Sequence, residues 1–198
     1  MPKPYSEACD QNRDPILAVL RPLLAEARSV LEIGSGTGQH AVYFGARLPH
    51  LTWHTSDLPA NHAGIRQWLT EAGLPNLRPP IALDVTAGDW TVPAVDAVYT
   101  ANTFHIVSDA AAAAMIAGVG ALLPAGGRFI AYGPFNYGGR YTSESNARFD
   151  QWLKARDPDS GIKDFEALDA LAHRAGMHLE QDTAMPANNR TLCWRKAA

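Results

Sequence analysis

The stretch Val30-Leu31-Glu32-Ile33-Gly34-Ser35-Gly36-Thr37-Gly38 decides the reading of this chain. It runs from an apolar pair into a glycine-rich turn. A second run, 51–56, ends at Asp57, nineteen residues beyond Gly38. A strand, a glycine turn, a helix and a second strand ending in a carboxylate is the layout that holds a nucleoside by its ribose hydroxyls. An ordinary tight turn would explain the glycines alone, but not the acid that answers them.

Glycine spacing separates two classes of nucleoside ligand. Dinucleotide sites use G-x-G-x-x-G, which brings a pyrophosphate against a helix N-terminus. Here glycines fall at 34, 36 and 38 and Gln39 follows, giving E-x-G-x-G-x-G. That pattern resembles motif I of class I S-adenosylmethionine-dependent methyltransferases. Their cofactor carries no phosphate, so the loop need only admit its methionine part closely, which residues without a Cβ allow.

Composition is that of one compact enzyme domain spanning 1–198. At 198 residues and 46% hydrophobic content, the chain can bury a full core without disulfides. The net charge of −3 carries no long like-charge run, which argues against a nucleic-acid substrate. Cys9 and Cys193 have no metal-ligand spacing and read as reduced thiols of a cytoplasmic protein; no metal is expected. The apolar stretch 110–123 is too short and alanine-rich for a bilayer, so no membrane partner is expected. No cationic and then apolar leader opens the chain, so a signal peptide is not expected.

Strands and helices alternate along the sequence. Strands are expected at 29–33, 51–56, 81–83, 95–99 and 128–132. Helices are expected at 37–47, 60–72 (closed by Gly73), 109–123 (Asp109 near the N-cap), 146–155 and 165–175. Two last strands, 178–183 and 191–195, flank Met185-Pro186-Ala187-Asn188-Asn189. Such alternation implies an α/β fold, a mostly parallel sheet with helices on both faces. The closing helix and hairpin resemble the end of the seven-stranded class I methyltransferase sheet, a Rossmann-like fold of order 3-2-1-4-5-7-6 whose last strand is antiparallel.

Four segments make the resemblance specific: 30–44, Ala101-Asn102-Thr103-Phe104-His105-Ile106, Tyr132-Gly133-Pro134-Phe135, and Met185-Pro186-Ala187-Asn188-Asn189. Together they resemble the family called domain of unknown function 938, also known as the methyltransferase-like protein 26 family. The similarity runs from about Ser6 to Lys196, and the Pro-Ala-Asn-Asn segment is distinctive of that family. The resemblance implies a class I fold and a methyltransferase assignment, with S-adenosylmethionine as cofactor and S-adenosylhomocysteine as product. It supplies no substrate.

In an open α/β sheet of this order, ligands bind at the switch point between the first and fourth strands. Gly34, Ser35, Gly36 and Gly38 would then line the methionine portion. Glu32 is similar to the acid that orients the loop or the ligand's amino group in related enzymes. Asp57 can accept from both ribose hydroxyls. Asp84, followed by Val85, matches the position that reads the adenine amino group; the plainer reading is a cap or turn residue. Asn102 and His105 follow the fourth strand. Asn102 either holds the methionine ammonium or aligns the acceptor. His105, with a reference pKa near ~6.5, is either the general base or a packed histidine. His40 reads as structural or cofactor-side.

Two segments could cover the site, 1–15 and 134–150. The first includes the polar run Cys9 to Asp14. The second sets aromatic and polar side chains around Gly138-Gly139. Arg13, Tyr137, Arg140, Tyr141 and Asn146 are the candidate substrate contacts, with Arg148 a further cation, although ordinary surface loops have similar composition. Asn188-Asn189 reads more as a tight turn than as a binding element. The five tryptophans read as packing residues. The function expected is methyl transfer to a small molecule. The alternatives are a non-catalytic cofactor-binding or interaction protein, or another adenosine-cofactor enzyme such as an aminopropyltransferase or NAD(P)-dependent oxidoreductase. Oligomeric state is left open.

Overall fold

The computed structural model describes residues 3–198, so the first two positions of the expected N-terminal cover lie outside the described residues. Seven strands form one sheet: β1 (Ser29–Ile33), β2 (Thr52–Asp57), β3 (Leu77–Ala82), β4 (Ala97–Ala101), β5 (Arg128–Gly133), β6 (Met177–Met185) and β7 (Asn189–Lys196). Their order is β3-β2-β1-β4-β5-β7-β6. All pairings are parallel except those of β7 with β5 and β6. This is the class I methyltransferase topology expected from the sequence.

Six α-helices flank the sheet: α1 (Glu7–Leu23), α2 (Gln39–Arg47), α3 (His62–Ala72), α4 (Asp109–Leu122), α5 (Glu144–Arg156) and α6 (Phe165–Arg174). Central strands are buried on both faces, so successive residues enter opposite cores. Val30, Ile130 and Cys193 pack with Ile16, Leu20 and Phe44 of α1 and α2. Leu31, Phe129 and Trp194 pack with Met115, Val119 and Leu168 of α4 and α6.

Two elements depart from the sequence expectation, whereas α4 begins at Asp109 next to its N-cap as expected. No element was expected before Ser29, yet α1 runs from Glu7 with Pro15 and Pro22 inside it. Interior prolines oppose helix, and here the burial of Ile16, Leu17, Leu20 and Leu23 offsets them. Strand β3 begins at Leu77 and carries Pro79 and Pro80, which an edge strand tolerates. The N-cap of α4 is Ser108, whose side chain accepts from the Ala111 N–H; Asp109 begins the helix and pairs with Lys163 at 2.9 Å. Of the tryptophans, Trp53 and Trp194 are fully buried, whereas Trp152 is 51% exposed.

Candidate active site

The carboxyl ends of β1, β2, β4 and β5 open into a cavity of about 1230 Å³, the size of a nucleoside cofactor plus a small partner. Glu32, Gly34, Ser35, Gly36, Asp57, Asp84 and Val85 line one side of it, while Asn102, His105 and Asn146 line the other. The structure thus gathers ten of the sequence-derived candidates into one chamber.

On the first side each acid has a different environment. Glu32 is 2% exposed. Its Oε2 accepts from Ser35 Oγ at 2.9 Å and Trp53 Nε1 at 3.1 Å. Burial nonetheless raises its pKa to about 7, because a carboxylate stripped of water is costly and these bonds compensate only in part. Asp57 ends β2. Its Oδ2 accepts from the Gly36 N–H at 2.7 Å, and its Oδ1 accepts from the Leu58 N–H and Asn61 Nδ2. The carboxylate therefore fixes the glycine loop, and acceptor capacity remains on Oδ2. Asp84 is exposed and forms an Asx turn, accepting from the Thr86 N–H and hydroxyl; these bonds pull its pKa down.

The three glycines have three different reasons to be glycine. Gly34 has φ +72°, and a Cβ there would lie 2.8 Å from Thr103 Oγ1, so the constraint is the protein's own β4 loop. Gly36 has φ +58°, and its added Cβ would meet no atom within 4 Å. It is the glycine that opens on the cavity. Gly38 caps α2 with φ +92°, and its Cβ would press on Ile65 Cα at 3.2 Å and Trp68 Cβ at 3.3 Å. Gly38, expected to line the methionine portion, is not among the chamber-lining residues, and its lack of a Cβ lets α2 approach α3.

The far side starts at Asn102, one of three non-glycine residues with positive φ among the described residues, at 58°. Its N–H donates to the Tyr132 carbonyl, tying the end of β4 to the end of β5. A strained backbone held by packing at a strand end is a recurrent property of functional loops. His105 is 7% exposed and meets the Phe149 ring edge-on at 5.1 Å. Burial, with a smaller effect of Lys163, lowers its pKa to about 4, so the ring is neutral at pH 7. His40 is likewise held neutral by burial, with a pKa of about 4, and its Nε2 pairs with Asn12 Oδ1 at 2.8 Å.

A wall of the chamber comes from α1 and the residues before it, including Ser6, Cys9, Asn12 and Pro15. The Ser6 N–H donates to Gln39 Oε1 at 2.5 Å, and Gln39 Nε2 donates back to the Ser6 carbonyl at 3.2 Å. Pro4 is tied to α3 through its carbonyl, which accepts from Trp68 Nε1 at 2.7 Å. The N-terminal segment is therefore clasped across the glycine loop.

A model of the family described as "Protein of unknown function (DUF938)" matches residues 3–196. The chain belongs to the DUF938 family. Among solved structures it is similar to an O-methyltransferase family protein from Burkholderia thailandensis, with TM-score 0.83 and 17% identity over 93% of this chain and 56% of that one. Human N-acetylserotonin methyltransferase in complex with SAM gives TM-score 0.83 and 14% identity over 97% and 53%. An O-methyltransferase family 2 protein from Planctomyces limnophilus, in complex with apigenin, gives 0.76 and 16% over 86% and 51%. At these identities the likeness is one of fold, and this chain spans about half the length of each.

Four candidate substrate contacts of the DUF938 chain lie outside the chamber wall, and the side chains of three of them have partners elsewhere. Arg13 pairs with Asp10 at 2.6 Å and lies over the Tyr43 ring. Tyr137 donates to Asp182 at 2.9 Å and stacks on Phe165. Arg140 is exposed, its backbone exchanging hydrogen bonds with Tyr137 in a tight turn. Tyr141 donates to Asp150 at 2.6 Å. Arg148 is also outside, 3.7 Å from Glu144. Conversely, Pro186, Ala187 and Asn189 line the chamber. Ala187 and Asn188 turn with φ 57° and 58°, and Asn189 Nδ2 donates to Tyr132 Oη at 3.0 Å. The segment serves as both turn and wall; its distinctive sequence was the signal. Asn12 and Tyr132 are further wall residues that sequence reading did not single out.

Among the described residues, no group of three or more His, Cys, Asp or Glu is arranged to hold a metal ion. No described helix is long and apolar enough to cross a membrane.

Proposed function

We propose that this DUF938 chain is an S-adenosylmethionine-dependent methyltransferase that acts on a small-molecule acceptor as a single catalytic domain and releases S-adenosylhomocysteine. One observation carries the reading. The glycine loop at the switch point is bordered by three carboxyl side chains, Glu32, Asp57 and Asp84, and among the described residues no Lys or Arg lines the chamber. A dinucleotide would bring phosphates against those acids. A nucleoside bearing a sulfonium and an ammonium suits them.

In this reading Asp57 accepts the ribose hydroxyls, Asp84 the adenine amino group, and Glu32 faces the ammonium. When bound, the cofactor supplies an electrophilic methyl group that an acceptor lone pair takes as the S–C bond electrons return to sulfur. Asn102 and His105 would orient the acceptor, and neutral His105 can receive the proton the acceptor gives up. With a pKa of about 4, His105 is a weak base, so holding the reactants in line supplies most of the acceleration. Among the structural relatives, one is a complex with SAM and another a complex with apigenin, which supports the same class. Two unpaired cysteines favour a reducing compartment, in keeping with the cytoplasm.

Calorimetric titration with S-adenosylmethionine, S-adenosylhomocysteine and NAD tests the proposal. Micromolar binding of the first two, about −8 kcal/mol, with no heat from NAD is the expected result. Binding of NAD alone would overturn it.

A further inference from the structure

The chamber's two sides differ in charge. The acids all belong to the ends of β1 and β2 and the loop after β3. The side built from α1, the ends of β4 and β5, α5 and the Pro186–Asn189 turn presents Asn12, Asn102, His105, Tyr132, Asn146 and Asn189. Every one of these is a neutral hydrogen-bonding group.

We propose that this side binds an uncharged, ring-bearing acceptor and rejects carboxylates and phosphates. The inference rests on the cofactor occupying the acidic side. Three observations support it. First, the neutral groups are joined in pairs: His40 Nε2 pairs with Asn12 Oδ1, and Asn189 Nδ2 donates to the Tyr132 hydroxyl. Such a belt can donate and accept at fixed positions, and it carries no ion to meet another. Pro15 adds to it, because a proline has no N–H to offer the Gln11 carbonyl, and both residues line the chamber.

Second, the nearby cations are engaged with carboxylates outside the chamber, including Lys163, whose charge is near enough to lower the His105 pKa. Arg13 is paired with Asp10, Lys163 with Asp109, and Arg190 with Asp182 at 2.7 Å. None of the three lines the chamber. An acceptor carboxylate would lose its water and gain no counter-ion, which is a strongly unfavourable exchange. An acceptor cation finds no carboxylate among these neutral groups; the chamber acid whose charge reaches α1, at Cys9, is Glu32 at the end of β1.

Third, the wall offers faces for a ring. Phe149 packs between His105 and Trp152, at 5.1 and 5.8 Å between centroids, and lines the chamber with Ile106, which is 56% exposed. An exposed isoleucine beside a half-buried aromatic is suited to covering a planar apolar group.

The test uses the full chain with S-adenosylhomocysteine and three probes of one shape: benzyl alcohol, benzoate and benzylammonium. Binding is read at the His105 and Phe149 ring resonances. Benzyl alcohol is expected to bind about tenfold more tightly than either ion. Benzoate or benzylammonium binding equally well, or no shift from any probe, overturns the proposal. Ser145→Lys puts a cation on an exposed rim position. It should raise benzoate affinity about threefold and leave benzyl alcohol unchanged; an unchanged benzoate affinity also counts against the proposal. S-adenosylhomocysteine binding is measured separately. If it fails while the probes keep their order, the functional reading falls and the selectivity of the wall stands.

Discussion

The two sides of the chamber are built in contrasting ways. The acidic side depends on backbone geometry: a glycine loop with positive φ at residues 34, 36 and 38, pinned by Asp57. The neutral side depends on side chains delivered by elements far apart in sequence, with Asn12 meeting His40 and Asn189 meeting Tyr132 through hydrogen bonds. A locally encoded wall can hold a common ligand with little variation, whereas a wall assembled from distant pieces can change residue by residue. On the proposed function, cofactor recognition and acceptor choice would be separable, and substitutions should separate them.

The largest effect should come from within the acidic side. Gly34→Ala forces a Cβ to 2.8 Å from Thr103 Oγ1 in a left-handed backbone and should cost on the order of 3 kcal/mol of stability. Gly36→Ala meets no protein atom within 4 Å and should cost only about 1 kcal/mol of stability while sharply weakening S-adenosylhomocysteine binding. Chemical denaturation and calorimetry on both variants read the contrast. Equal destabilisation with equal loss of binding would erase the distinction between a structural and a ligand-facing glycine.

The pH dependence of stability also divides the sides, because their buried groups titrate in opposite senses. Glu32 ionises near 4.5 in an unfolded chain and at about 7 here. Its contribution is thus fully present below 4.5 and is lost as pH rises through about 7, on the order of 3 kcal/mol in all. His40 and His105 protonate near 6.5 when unfolded and at about 4 when folded. Their contribution is present above 6.5 and is lost as pH falls toward 4. Denaturation of wild type and Glu32→Gln from pH 4 to 8.5 isolates the first effect, with the variant's advantage growing above ~4.5 and levelling above ~7. A difference that does not vary with pH would contradict the buried, unpaired state of Glu32.

The same contrast explains what could be read in the sequence. Glu32, Gly34, Gly36 and Asp57 were legible as neighbours in one chamber because a short-range pattern and one fixed spacing bring them together. Alternation implied a parallel sheet, and its strand order was implied by the resemblance of the closing helix and hairpin to the class I methyltransferase sheet. Helix α1 was not legible, since Pro15 and Pro22 erase its local signal and only tertiary burial of Ile16 and Leu20 restores it. Tyr137 looked like a lid residue because its partner, Asp182, lies 45 positions away. Arg13 looked available because a loop was expected where a helix brings Asp10 beside it.

A smaller effect separates affinity from chemistry. Asp57→Ala should cost about 1–3 kcal/mol of cofactor affinity, whereas His105→Ala should leave that affinity nearly intact and slow transfer. Calorimetry and single-turnover rates distinguish them, and equal cofactor binding by wild type and Asp57→Ala would break the assignment of the acidic side.

The smallest expected change lies where the two sides are joined. Gln39 is 5% exposed and makes two hydrogen bonds to the Ser6 backbone, closing the N-terminal segment over the glycine loop. Gln39→Ala removes both and leaves the Ser6 groups to water, at a cost of about 1 kcal/mol. Little of that cost should appear as global destabilisation, because α1 remains anchored by Ile16, Leu20 and Leu24. It should appear instead as faster amide exchange around residues 4–9 and faster release of bound S-adenosylhomocysteine, with the stability of the sheet unchanged. Unaltered exchange at those amides would mean that Pro4 against Gly64 and Trp68 is sufficient to hold the segment, and the clasp would then be incidental to closure.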